Sequence, residues 1–118
     1  MKNIAPNIVR QRLLIEGLYQ TEVNEDVIKN YFIEITKALS LRMHGEPIVF
    51  SPSGVGKSEN QGYDAFVPLI DSGISLYVWS SAKFLSLIIY TCKSFDSDVA
   101  LRVTKEFFKI KEIESMGF

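Results

Sequence analysis

Three sets of residues in this 118-residue chain could carry chemistry. The first is the loop Ser51-Pro-Ser-Gly-Val-Gly-Lys-Ser58. It comes close to a phosphate-binding loop, in which backbone N–H groups cradle phosphates while Lys and Ser/Thr hold phosphate and magnesium. Ser51 stands where that motif needs its first glycine. The residues that follow, Glu59 to Gly62, lead into a strand pattern and not into the helix whose N-terminus would meet the phosphates. The loop therefore reads as a glycine-rich connection, and nucleotide hydrolysis is set aside. The second is Cys92, the only cysteine. It cannot form an internal disulfide, which agrees with a reducing compartment, and it is either a core thiol or a functional one. Together with the only histidine, His44, it is too little for a zinc site, so no metal is expected. The third set is Asp71-Ser72-Gly73 followed by Ser75, Tyr77 and Trp79. Ser72 is either a strand-end hydroxyl satisfied by turn backbone or a reactive group, and the later three share one strand face by two-residue alternation.

These residues must be held by a single domain over 1–118, because two cores in this length would each bury too little apolar surface. A composition of 47% hydrophobic and 23% charged residues belongs to a folded globular chain. Thirteen basic against fourteen acidic residues, with the basic ones scattered, leave no electrostatic footprint for nucleic acid or an anionic membrane. The longest apolar stretch, Phe84 to Ile89, is far short of the roughly 20 residues of a membrane span. Met1 to Asn7 holds no apolar signal core, so a cytoplasmic protein is expected.

Hydrophobic periodicity orders the elements. Ile8 to Tyr19 reads as a first strand. Asn24 caps a helix whose apolar face runs from Val27 to Leu39 and whose end is expected near His44-Gly45. Ile48 to Phe50 reads as a second strand, and Tyr63–Ile70, Gly73–Trp79 and Phe84–Lys93 as three more, with Ser80 to Lys83 as the hairpin loop between the last two. Asp96 or Ser97 caps a second helix, and Glu112 to Phe118 supplies a short last strand. The expected fold is α+β: a two-layer α/β sandwich with a largely antiparallel sheet and two helices on one face. If Trp79 pairs with Phe84, the register sets Cys92 opposite Asp71 and beside Ser72.

The run Leu69 to Trp79, then Phe84 to Thr91-Cys92 and a Lys- and Phe-rich helix, resembles the prokaryotic pyruvoyl-type S-adenosylmethionine decarboxylase proenzymes. In that family an acidic residue precedes a serine at a strand junction, a tryptophan follows it on the same strand, and Thr-Cys ends the next strand. The positions here are Asp71, Ser72, Trp79 and Thr91-Cys92. The resemblance implies that Ser72 attacks the Asp71 carbonyl, that the chain is cut between Asp71 and Ser72, and that Ser72 becomes a pyruvoyl group serving as covalent electron sink. It makes Cys92 the thiol that returns a proton to the substrate carbon. It also implies a substrate pocket at Trp79, with Ser75 and Ser81 nearby, and a homodimer assembled through the sheets.

The departures from the family pattern shape the functional expectation. Histidines follow the family's cleavage serine at two positions that are Gly73 and Tyr77 here, and Tyr77 is a poor base at neutral pH because a phenol titrates near about pH 10. The family's Pro-Glu after the tryptophan, whose carboxylate holds the substrate ribose, is Ser80-Ser81. The expectation is an S-adenosylmethionine decarboxylase-like protein of polyamine biosynthesis with impaired or altered activity, taking an amino-acid-type small molecule, with Tyr77 or other groups replacing the lost histidine beside Ser72 and Cys92 as catalytic residues. The alternative is an uncleaved, non-catalytic homologue that binds a ligand or pairs with an active paralogue.

Overall fold

The computed structural model describes residues 1–52 and 54–118. Its elements run β1 (Gln11–Leu18), α1 (Glu25–Ala38), β2 (Ile48–Phe50), a single 3-10 turn (Ser58–Asn60), β3 (Gly62–Leu69), β4 (Ser72–Trp79), β5 (Phe84–Thr91), α2 (Ser97–Phe108) and β6 (Glu112–Gly117). The six strands form one sheet in the order β2-β3-β4-β5-β1-β6, and every adjacent pair is antiparallel. Both helices cover one face of it, as the amphipathic patterns require. Strand alternation divides the side chains cleanly. Leu13, Ile15, Val67, Ile74, Leu76, Leu85, Leu87 and Ile89 point to the helices and are buried. β5 lies between β4 and β1 in the middle of the sheet, with Leu85, Leu87 and Ile89 buried under the helices and Phe84, Ile88 and Tyr90 half-buried or exposed on the other face.

The helix ends are fixed by capping. The Asn24 side chain accepts the Val27 N–H at 2.9 Å, and Glu25 and Asp26 complement the helix N-terminus. Asp96, not Ser97, caps α2 by accepting from the N–H groups of Asp98 and Val99. The helix α1 stops well before His44-Gly45. Ser40 takes a left-handed φ of 55°, its N–H donates to Lys37 O, and the Leu41 N–H reaches back to Thr36 O at 2.8 Å. This closes the orphan carbonyls of the last turn while burying Leu41. The segment released by that early stop lies along the end of β3. Met43 bridges Leu69, and the His44 N–H donates to Pro68 O at 2.7 Å.

The two helices meet at Tyr31, whose hydroxyl hydrogen-bonds Thr104 at 2.7 Å inside a cluster of Phe32, Phe107 and Phe108 rings. Burial pushes the Tyr31 phenol well above its usual range, and the Thr104 hydrogen bond opposes this only in part. The unfolded chain gives up this proton near about pH 10 while the folded chain keeps it. The stability it contributes is therefore complete below that pH and lost as pH rises toward the folded value. Tyr31→Phe is expected to cost about 1 kcal/mol at neutral pH and to lessen the alkaline loss of stability. Urea unfolding of both proteins at neutral pH and above about pH 10 measures the difference.

Candidate functional site

The Ser72 end of the sheet is built around a tight turn. Leu69 pairs with Ser72, so only Ile70 and Asp71 connect β3 to β4. The turn is tethered from both sides: the Ile70 N–H donates to Arg42 O at 2.9 Å, and the Cys92 N–H donates to Asp71 O at 3.0 Å. Trp79 pairs with Phe84 and Ser72 with Thr91, and this register carries on to set Cys92 opposite Asp71. Cys92 is exposed and not a core thiol, because β5 ends at Thr91, whose buried side chain is the last of the strand on the helix side. That turn is braced: the buried Thr91 hydroxyl donates to Lys93 O, the Lys93 ammonium to Ser40 O, and the Gln11 amide clamps Phe95 through both its groups.

Ser72 itself has φ 119°, where a side chain crowds the backbone. Such a residue costs about 1–3 kcal/mol and persists only where its surroundings impose it. Here the Arg42, Cys92 and Thr91 contacts impose it. The carbonyl of Asp71, the one a Ser72 hydroxyl would attack, already accepts an N–H from Cys92. Gly73, which stands at a family histidine position, is covered by the Phe66 ring: a Cβ there would lie 2.6 Å from two of its atoms, so a side chain at 73 requires the ring to swing aside.

The other expected site residues lie elsewhere. Ser75, Tyr77 and Trp79 do share one face, the face without helices. At about 3.3 Å per residue, Tyr77 is roughly 16 Å and Trp79 roughly 23 Å along β4 from Ser72. Ser81 is in the hairpin at the far end, where its hydroxyl donates to Glu59 O at 3.4 Å. One chain therefore brings Asp71, Ser72 and Cys92 together and keeps Tyr77, Trp79 and Ser81 apart from them.

Two residues of this face were missed in the sequence, Asp64 and Phe66 of β3. Asp64 is the cross-strand neighbour of Tyr77, and Phe66 that of Ser75. With Ile48, Phe50, Ala65, Ser75 and Tyr77 they line a groove of about 230 Å³. Alternation along β3 would have put both on the Tyr77 face; the groove itself needed the β2–β3 register.

The glycine loop is not a phosphate site. Only the short turn Ser58–Asn60 follows it, and the Gly54 N–H is taken by the Gln61 side chain at 2.7 Å, whose amide in turn donates to Val55 O. Ser53 of this loop lies outside the described residues. Among the described residues no cluster of His, Cys, Asp or Glu could hold a metal, and no helix is long and apolar enough to cross a membrane.

An antiparallel sheet backed by two helices, with a strained serine and a cysteine at the end of its central hairpin, defines the class. The family profile of S-adenosylmethionine decarboxylase matches residues 16–117, and the chain belongs to this family. Its fold is similar to that of the adenosylmethionine decarboxylase from Aquifex aeolicus, with a TM-score of 0.71 at 18% identity over 94% of this chain and 89% of that one. No curated protein sequence matches it significantly. The family is pyruvoyl-dependent.

Proposed function

We propose that this protein cleaves itself slowly between Asp71 and Ser72 and carries the resulting pyruvoyl group as a decarboxylase-type protein with little activity on S-adenosylmethionine. The observation that carries this reading is the backbone at the cut: Ser72 at φ 119° directly after a carbonyl that the Cys92 N–H polarises. The Ser72 hydroxyl would add to the Asp71 carbonyl carbon and shift the acyl group from nitrogen to oxygen, leaving an ester and a free amine. Loss of the Ser72 α-proton then expels Asp71 as a carboxylate, and the dehydroalanine left at 72 takes up water and releases ammonia to become pyruvoyl. Cleavage also relieves the strain at Ser72. The pyruvoyl group, once formed, supplies an electrophilic carbonyl that captures an amine and accepts the electron pair freed when carbon dioxide leaves. The exposed Cys92 thiol, beside it in register, is suited to return a proton.

The processing is slow in this account because no histidine stands at 73 or 77. We place a homodimer at the helix-free faces, in which Tyr77 of a second copy would stand in for the base that Tyr77 of the same chain is too far from Ser72 to be. The β5-β1-β6 part of that face is suited to such packing: Leu18, Tyr90 and Met116 are exposed on it. With the family's ribose-holding carboxylate replaced at Ser81, an amino-acid-type substrate without the nucleoside fits better. A cytoplasmic, reducing location suits a free thiol.

A second reading is favoured by the Phe66 ring, which fills the place of the lost histidine at Gly73. It makes the chain an uncleaved homologue that binds a small ligand or pairs with an active paralogue. A denaturing gel of purified protein, sampled over days beside Ser72→Ala, separates the two. Wild-type chain passing into two fragments while the variant stays whole supports processing; an undivided wild type leaves the uncleaved homologue.

A further inference from the structure

The groove on the helix-free face has the makings of a ligand site whose chemistry can be stated. Its walls are Ile48 and Phe50 from β2 and Phe66 from β3; its polar groups are Asp64, Ser75 and Tyr77. In register, Asp64 stands between Phe50 on one strand and Tyr77 on the other, so a carboxylate is flanked by two aromatic rings. Among the described residues the ion pairs are Lys29–Glu25 and Arg102–Glu106, both within helices, and no Lys or Arg reaches Asp64.

Carboxylate and ring faces attract the same partner. A cation gains a charge-assisted hydrogen bond from the first and a quadrupole attraction from the second, and an anion meets repulsion from both. The apolar walls add a preference for a hydrocarbon body. A volume of about 230 Å³ suits a molecule the size of one amino acid or its amine, since larger ligands occupy pockets of about 300–1,000 Å³. The family position that carries a carboxylate for ribose is Ser81 here, at the far hairpin, and the carboxylate of this face stands at Asp64 instead.

We infer that this groove binds a small organic cation, its ammonium on Asp64 and its aromatic or branched apolar body between Phe50 and Phe66. The inference deepens the proposed function, whose amino-acid-type substrate it narrows to a cation, and it requires the β2–β3 end of the helix-free face to stay open in the dimer. Asp64 then selects ligands by charge, and Phe66, which also covers Gly73, selects them by shape.

The test is titration of phenethylamine, with 3-phenylpropionate as its anionic counterpart, into the uncleavable Ser72→Ala protein, followed by amide chemical shifts. Saturable phenethylamine binding is expected, with shifts confined to β2, β3 and β4, and no saturable binding of 3-phenylpropionate. Asp64→Asn should weaken phenethylamine about tenfold or more while leaving Tm unchanged, as the side chain is exposed. Absence of phenethylamine binding, equal binding to Asp64→Asn, or equal binding of 3-phenylpropionate overturns the inference. Because Ser72→Ala cannot process itself, the result is independent of cleavage. An uncleaved wild type would refute the processing reading and leave this titration to decide the groove.

Discussion

Ile88→Lys is expected to turn a homodimer into single chains and to slow self-cleavage with it. Ile88 lies on β5 in the middle of the helix-free face, between Ser75 on β4 and Leu14 on β1. Stable interfaces bury about 800 Å² per partner, with a fully desolvated apolar centre and a polar rim. A lysine placed at that centre would be buried twice, once in each copy, with no carboxylate directly opposite it in its own sheet. An unpaired buried charge costs about 3–5 kcal/mol, which corresponds to about two to three and a half orders of magnitude in Kd. In the isolated chain Ile88 is only half-buried and a lysine there can extend its ammonium into water, so the fold should survive. Sedimentation at micromolar concentration reads the change in mass. A wild type that sediments as single chains contradicts the dimer, and an Ile88→Lys protein that is monomeric yet cleaves at the wild-type rate removes the second copy from processing.

Gly62→Ala should destabilise the fold by about 3 kcal/mol or more, at the upper end of what overpacking costs, and lower Tm by roughly 10–20 °C. Gly62 opens β3 opposite Trp79, and its φ is not the reason it is glycine. A Cβ there would lie 1.8 Å from the Val78 carbonyl oxygen and 3.2 Å from the Ser80 nitrogen. Both are backbone atoms held in the β3–β4 ladder, where the Ser80 N–H donates to Gln61 O at 3.0 Å, so relief requires the strands to part at the end that carries Trp79. Gly45→Ala is the control: its nearest neighbour would be Pro68 Cγ at 3.5 Å, an ordinary contact, and little change is expected. Thermal unfolding followed by circular dichroism compares the two.

Much of this fold could be read from the residues alone, and the reasons are local. Trp79 and Phe84 bracket the four-residue loop Ser80 to Lys83; taking them as cross-strand partners is an assumption on sequence alone, and the structure has that pairing and with it the meeting of Asp71, Ser72 and Cys92. The end of α1 was misread because Ser40, and not a glycine, takes the left-handed cap, while Leu39 and Leu41 prolong the apolar spacing past the true stop. The consequence is more than a boundary, since the early stop brings His44, the only histidine, beside β3 at the Ser72 end of the sheet. The separation of Tyr77, Trp79 and Ser81 from Ser72 was implicit in the strand rise, yet motif spacing groups residues by sequence and not by distance. Asp64 escaped notice because its meaning comes from Phe50, which a short edge strand brings alongside.

The central claim is that Ser72 is converted to pyruvoyl, and intact mass of the purified protein under denaturing conditions tests it most directly. Two chains are expected, Met1–Asp71 with an ordinary carboxylate and a second running from position 72 to Phe118, lighter than a chain beginning with free serine by the difference between serine and pyruvoyl, with Ser72→Ala giving one undivided mass. A single wild-type mass after long incubation, or a second chain that begins with unmodified serine, would contradict it.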